Sequence, residues 1–298
     1  MPERAAAPSS VGEAVDAAAE RLAAAGIAAP RREAQALWAA VAGGGMKRGE
    51  VWLARDRAAR PDLVRPFREA LERRVAGMPF AYAVGRIGFR TLELELDPRA
   101  LIPRPETEGL VDLVLRWARE RQRTPAHRGR EGVVADIGTG CGCLALALAV
   151  EGPFERVIAV ERSGSAAALA RRNVARIAPT VPVEVREGDL LAPLGAERCR
   201  AIIANPPYLS EAEYHALDAS VRHFEPREAL VSGADGLEAT RALVAGARAL
   251  LEPDGLLALE IDERRAAPVR ELAHEFGWSE ARVYEDLFGR PRYMLAQP

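Results

Sequence analysis

From Val133 onward, short apolar runs return at intervals with helical stretches between them: "VVADIG", "RVIAVE", "VEVREGD", "AIIAN" and "LLALEI". Two parallel strands cannot be joined by a tight turn, so each intervening helix reads as a crossover. A sheet built this way is covered on both faces, which explains why its strands are apolar throughout rather than alternating. This pattern predicts an α/β domain with a parallel sheet. It also says where chemistry belongs, because open sheets of this kind bind ligands beyond the carboxyl ends of their strands.

The rest of the 298 residues is organised differently. Residues 1–77 read as helices only: "VGEAVDAAAERLAAAG" stops at Gly26, "RREAQALWAAVAGGG" opens after Pro30, and "PDLVRPFREALERRVAG" runs from Pro61 to Gly77. In 78–100 the segment "TLELEL" alternates strictly and predicts a half-exposed strand of a hairpin, here taken as a linker. After "LIPRPETEG" a helix is expected to about Arg121, then a polar loop, "RQRTPAHRGREG". The expected division is therefore 1–77, 78–100 and 101–298.

Charge narrows the partners. The net charge is −2, so the chain lacks the overall basic character that dominates binding to a phosphate backbone. Residues 1–80 hold 13 Lys+Arg against 10 Asp+Glu, net +3, leaving 28 against 33 for the remainder. A modestly basic head on an acidic body suits docking to a partner and equally suits an ordinary solvated surface. No run approaches the roughly 18 apolar residues of a membrane span, and "MPERAAAPSS" has no apolar signal core. The expectation is a cytoplasmic protein with no membrane partner. Three cysteines, Cys141, Cys143 and Cys199, build neither a disulfide framework nor a metal site.

"DIGTGCG" follows the first strand of the alternating region and precedes "CLALALAV". Its glycines permit a tight turn and let backbone amides approach a ligand. The dinucleotide fingerprint requires a third glycine at position 143, and that residue is Cys143. What stands here is G-x-G-x-G, with Glu161 ending the next strand, where a carboxylate accepts both hydroxyls of a ribose. The pair suits S-adenosylmethionine, a nicotinamide or flavin, or simply a structural turn. Asp189, in "EGDL", offers an acceptor near an adenine amine or else a cap.

"NPPY", Asn205 to Tyr208, leaves the apolar run "AIIA" at once. Each proline fixes its own backbone and restricts the residue before it, so the strip is rigid before any ligand arrives. Neither proline has an N–H. The strip thus presents acceptors, the Asn205 side-chain oxygen and the Pro206 carbonyl, with the Tyr208 ring beside them. Two fixed acceptors match the two hydrogens of an NH2 group conjugated to a carbonyl or a ring. Holding both aims the nitrogen lone pair in the remaining direction and favours positive charge on nitrogen during attack. A methyl donor positioned in line by the glycine loop would complete a displacement. The competing reading of "NPPY" is an Asn-Pro turn.

With these motifs in place the chain resembles the PrmC/HemK family of release factor glutamine methyltransferases, from the helical head to the C-terminus. The resemblance is carried by "GMPFAYAVG", "LIPRPETE" (101–108), "DIGTGCG", "NPPY", "FEPREAL" with "GADGL", and "DLFGRPR". It implies a class I S-adenosylmethionine-dependent, Rossmann-like methyltransferase domain behind an N-terminal helical bundle and a β-hairpin linker. It also implies methylation of the glutamine in the Gly-Gly-Gln tip of class I peptide release factors. Carried over by position, Gly138, Thr139, Gly140, Cys141 and Gly142 cradle the cofactor, Glu161 takes the ribose, and Asp189 and Leu190 flank the adenine. Asn205, Pro206, Pro207 and Tyr208 hold the glutamine amide, with Asn205 also at the cofactor and Asn205, Pro206 and Tyr208 serving catalysis. The helical head grips the release factor, and "LIPRPETE" is either pocket wall or rigid linker. Three residues depart from the family pattern: Glu161 where Asp is usual, Asp262 where glycine is common, and Phe288 where a small residue is common.

Two other readings compete. An amine methyltransferase acting on nucleic acid, or on a ribosomal-protein glutamine, could use the same strip. The nucleic-acid version predicts a basic groove, whereas 209–230 carries Glu211, Glu213, Asp218, Glu225 and Glu228 against Arg222 and Arg227. A non-catalytic cofactor-binding module would keep the glycine loop and have no use for the acceptors.

Overall fold

The computed structural model describes residues 8–122 and 132–298, so most of the polar loop expected across 121–132 lies outside the described residues. The chain forms two compact units, one ending at Gly85 and the other running from Arg86 to Pro298.

The first unit contains α1 (Val11–Ala24), α2 (Pro30–Ala42), α3 (Arg48–Leu53), α4 (Pro61–Val75) and α5 (Phe80–Val84). Ser10 caps α1 by accepting from the Glu13 amide, and Pro30 and Pro61 open their helices at positions where no N–H is needed. The apolar faces meet in a core containing Leu22, Leu37, Trp38, Phe67 and Leu71, with Trp38 set edge-on to Phe67 at 5.0 Å between centroids. Each such fully buried side chain contributes roughly 1.5–3 kcal/mol. Three helices are expected and, among the described residues, the unit has five. The short α3 and α5 fall below the length at which helical periodicity can be read. The unit also ends after Gly85 instead of Gly77. Phe80 and Val84 pack on this same core, and Arg73 donates to the Ala83 carbonyl at 2.9 Å.

The second unit begins with the hairpin β1 (Arg86–Phe89) and β2 (Leu92–Glu95), antiparallel as the alternation predicts. It is fastened to the rest of the unit. Asn173 exchanges both backbone hydrogen bonds with Glu95 and donates to the Cys141 carbonyl. At the hairpin tip Arg90, with φ of 53°, forms a two-pronged pair with Glu151 at 2.7 Å and donates its amide to Glu108.

Helix α6 (Pro105–Gln122) follows, then β3 (Val133–Ile137), α7 (Cys143–Glu151), β4 (Arg156–Glu161), α8 (Gly164–Ile177), β5 (Val183–Glu187) and β6 (Cys199–Ala204). Two short helices, α9 (Glu211–Ala216) and α10 (Ala219–Phe224), precede α11 (Glu238–Ala247), β7 (Leu251–Glu260), α12 (Ala266–Glu275), β8 (Glu280–Glu285) and β9 (Pro291–Gln297). The sheet order is β5-β4-β3-β6-β7-β9-β8, parallel from β5 to β7, with β9 running antiparallel between β7 and β8. The five expected parallel strands are present. The closing pair β8 and β9 was not anticipated. The chain leaves β3 toward β4 on one side and later returns to place β6 on the other. That reversal opens a crevice at the carboxyl ends of β3 and β6, where the two motifs of interest emerge.

Candidate active site

The loop after β3 is built from backbone. Gly138, Gly140 and Gly142 have φ of 75°, 57° and 88°, a region that costs an L-residue about 1–2 kcal/mol. The amides of Gly138 and Thr139 both donate to the Val160 carbonyl at 2.9 Å, and Gly142 caps α7. Two carboxylates hold the loop's shape. Asp136, fully buried, accepts from the Thr139 hydroxyl at 2.5 Å and the Ala145 amide at 3.0 Å, and burial pushes its carboxyl up to about 7. Glu161, at the end of β4, accepts from the Gly140 amide at 2.8 Å through one oxygen and from the Ser163 amide at 2.9 Å through the other.

A cleft of about 450 Å³ opens above this loop, within the range of small-ligand sites. Gly138, Thr139, Gly140 and Cys141 line it, together with Glu161, Asp189, Leu190, Asn205 and Pro207. Gly142, Pro206 and Tyr208, also expected in the site, lie beside this cleft and not in its wall. Gly142 is turned into the helix cap, and Pro206 is buried next to Asn205 in the chain. Burial raises the Tyr208 hydroxyl to about 12, with the Glu260 charge adding to the shift. Leu190 holds a left-handed φ of 45° and packs its side chain on the core of the sheet, which leaves Asp189 largely exposed at the rim.

Asn205 is aimed by side chains. Its Nδ2 donates to the Thr107 hydroxyl at 3.2 Å, and that hydroxyl donates to Glu260 Oε2 at 2.8 Å. With the NH2 engaged there, the Asn205 oxygen is the end left to accept, which is the polarity an amide substrate requires. Glu260 closes β7 almost wholly buried, and that burial lifts its carboxyl to about 7. Its cross-strand neighbour Tyr293 donates to the Glu106 carbonyl at 2.5 Å, clamping the first turn of α6. The close approach needs Gly109, where a Cβ would overlap the Tyr293 hydroxyl.

Thr107, Glu260 and Tyr293 were not among the expected site residues, although Thr107 sits inside "LIPRPETE". That motif proves to be wall: Leu101, Pro103 and Thr107 line the cleft. It is tied to "FEPREAL" by Glu225, which is buried and accepts from the Ile102 amide and from Arg104 at 2.7 Å. Asp262 also finds a reason. It caps the following turn and pairs with Arg264 and Arg265, and Arg265 donates to the Asp235 carbonyl beside Gly236, where a Cβ would overlap both the Tyr208 carbonyl and the Arg265 guanidinium. Nothing in the structure explains Phe288, which stands exposed in the turn between β8 and β9.

A seven-stranded sheet of this order, with a glycine-rich turn after its first parallel strand, an acid ending the second and an Asn-Pro-Pro-Tyr strip after the fourth, defines a class I S-adenosylmethionine-dependent methyltransferase. Solved structures agree at the level of fold. A methyltransferase from Pyrococcus furiosus superposes with a TM-score of 0.50 at 21% identity, covering 70% of this chain and 89% of that one. The hMettl16 catalytic domain in complex with an RNA hairpin gives 0.54 at 18%, covering 78% and 80%. Residues 13–85 match the PrmC N-terminal domain and residues 122–226 the methyltransferase small domain. The chain is 38% identical to the release factor glutamine methyltransferase of Moorella thermoacetica, over 95% of this chain and 97% of the relative. With that of Deinococcus radiodurans the identity is again 38%, over 94% and 95%. The chain belongs to the release factor glutamine methyltransferase family.

Proposed function

We propose that this protein methylates the side-chain amide nitrogen of the glutamine in the Gly-Gly-Gln tip of class I peptide release factors. The observation that carries the reading is the polarity of Asn205, whose NH2 is held by Thr107 so that its oxygen is left for a substrate NH2.

The cleft fits S-adenosylmethionine by its donor set. Each Glu161 oxygen carries one backbone hydrogen bond and keeps a lone pair for a ribose hydroxyl. Gly138 to Cys141 offer a backbone surface at the carboxyl end of β3, and Leu190 gives an apolar wall with Asp189 at its rim. When bound there, the cofactor supplies an electrophilic methyl group on a sulfonium sulfur.

The protein's own residues then have three tasks. Asn205, with the Pro206 carbonyl, accepts the two hydrogens of the glutamine amide, which orients the lone pair and stabilises the charge that grows on nitrogen. Pro206 and Pro207 keep that strip stiff, so little ordering remains to be done when the substrate arrives. Tyr208 packs its ring beside the amide. A strong base is unnecessary, because a protonated N-methyl amide gives up its proton to water.

The test is direct. Purified release factor and labelled S-adenosylmethionine are incubated with the protein, and the label is located by mass spectrometry. Label on the Gly-Gly-Gln glutamine is the expected result. Label on a ribosomal protein or on nucleic acid, and none on release factor, overturns it.

A further inference from the structure

The hydrogen bonds behind Asn205 run in one direction, and a single proton can reverse them. Thr107 has one hydroxyl hydrogen. While Glu260 is a carboxylate it can only accept, so Thr107 donates to it and must accept from Asn205, which turns Nδ2 toward Thr107. If the Glu260 carboxyl holds the proton, it can donate to Thr107. The Thr107 hydrogen is then released, and it finds a partner when the Asn205 amide turns over to offer Oδ1, so that the NH2 faces the substrate instead. The same heavy atoms serve both arrangements, and only the first presents an acceptor.

We propose that Thr107 and Glu260 are positioning residues that set which end of the Asn205 amide meets the substrate, so that methyl transfer requires Glu260 in its ionised form. The inference rests on the function proposed above. Three elements converge to build the relay: the first turn of α6, the end of β7, and the strip after β6. The groups around Glu260 are Arg292 and Tyr293 on β9, Arg104 and Glu106 at the start of α6, and Tyr208 after β6. Burial is the main influence and holds the proton on Glu260, Thr107 opposes it, Glu106 adds to it, and Arg292 and Arg104 pull the other way. The balance places the carboxyl at about 7, where either form is accessible. Tyr293, by clamping the Glu106 carbonyl, keeps Thr107 within reach of both partners.

The experiment measures kcat and KM for intact release factor, and cofactor affinity by calorimetry, from about pH 5.5 to about 8.5. Wild type is expected to lose turnover as pH falls through about 7, approaching tenfold per pH unit below it. Thr107→Val should lower kcat about tenfold at high pH, leave cofactor affinity unchanged and abolish the acid limb, because Asn205 no longer follows Glu260. Thr107→Ser keeps the hydroxyl and should restore both rate and limb. Asp136 also has its carboxyl at about 7, so Asp136→Asn must leave the limb in place. A limb that survives Thr107→Val, a serine variant that restores nothing, or a limb removed by Asp136→Asn overturns the proposal. Should the valine variant fail to fold, Glu260→Gln decides, since a carboxamide does not titrate: a flat profile supports the relay and a persisting limb sinks it. A wild type that methylates no release factor overturns the function, whereas an active wild type matched by Thr107→Val overturns only the relay.

Discussion

The two halves of the cleft are made of different materials. The glycine half is backbone: three residues at positive φ, amides turned onto the Val160 carbonyl, and Asp136 and Glu161 holding the turn from within some two dozen residues along the chain. The amide half is side chain. Asn205 depends on Thr107, 98 residues earlier, which depends on Glu260, 153 residues later, steadied by Tyr293 on a strand beyond that. A backbone turn keeps its shape with little help from afar. A directed chain of side-chain hydrogen bonds is only as good as the distant elements that bring its members together. Changes in the first half should therefore appear as lost cofactor affinity, and changes in the second as lost turnover.

The largest effect is expected from Asn205→Ala. Removing one preorganised partner of a developing charge typically costs about 3–4 kcal/mol, or roughly 100 to 1,000-fold in kcat. Calorimetric cofactor affinity should barely move, and a loss of affinity matching the loss of rate would erase the distinction between the halves. Asn205→Asp is expected to fare little better. It retains an acceptor but sets a second carboxylate against the single Thr107 hydroxyl already engaged by Glu260.

On the other side, Gly140→Ala meets no crowding, since the nearest atom to a new Cβ is Ala100 Cβ at 3.8 Å. Its penalty is the φ of 57°, about 1–2 kcal/mol, which should weaken cofactor binding about tenfold with kcat at saturation nearly intact. Glu161→Ala should act in the same sense, because it removes the carboxylate proposed above to take the ribose and leaves the Gly140 and Ser163 amides without their partner. Equal cofactor affinity for wild type and Glu161→Ala would take that residue out of the site.

This contrast also explains what could be read in advance. Glycines, prolines and a strand-ending acid state their purpose locally, so the parallel strands, the turn and the rigid strip were legible in the sequence. The hairpin pattern was legible too, though not that Asn173 fastens it to the glycine loop. Thr107 and Glu260 look ordinary where they stand, a threonine in a helix start and an acid at a strand end, and acquire meaning only when α6 lies against β7. The last two strands were missed for a related reason. "ARVYE" is half-exposed and "PRYMLAQ" mixes apolar and polar residues without strict alternation, so their identity comes from pairing with β7 and not from their own pattern.

Gly109→Ala probes how far the amide half reaches. The added methyl meets no backbone strain but must displace the Tyr293 hydroxyl from the Glu106 carbonyl, freeing the turn that carries Thr107. Losing one hydrogen bond of about 1 kcal/mol through an intermediary should lower kcat by roughly three- to tenfold and leave cofactor affinity alone. An effect on affinity would mean that the α6 turn supports the whole cleft.

The smallest effect is expected from Tyr208→Phe, and its smallness is informative. The phenol sits next to the relay, yet among the described residues its hydroxyl donates to no side chain of the site, and burial with the Glu260 charge raises its pKa to about 12. A group with that pKa stays protonated throughout the working range, so it can neither serve as a base nor change the charge at Glu260. What remains is the ring, which the substitution keeps. Turnover should therefore fall less than about threefold, within what one weak hydrogen bond contributes. A much larger loss, together with a shifted acid limb, would place the hydroxyl in the hydrogen-bond chain itself. Asn205 would then depend on four side chains, those of Thr107, Glu260, Tyr293 and Tyr208.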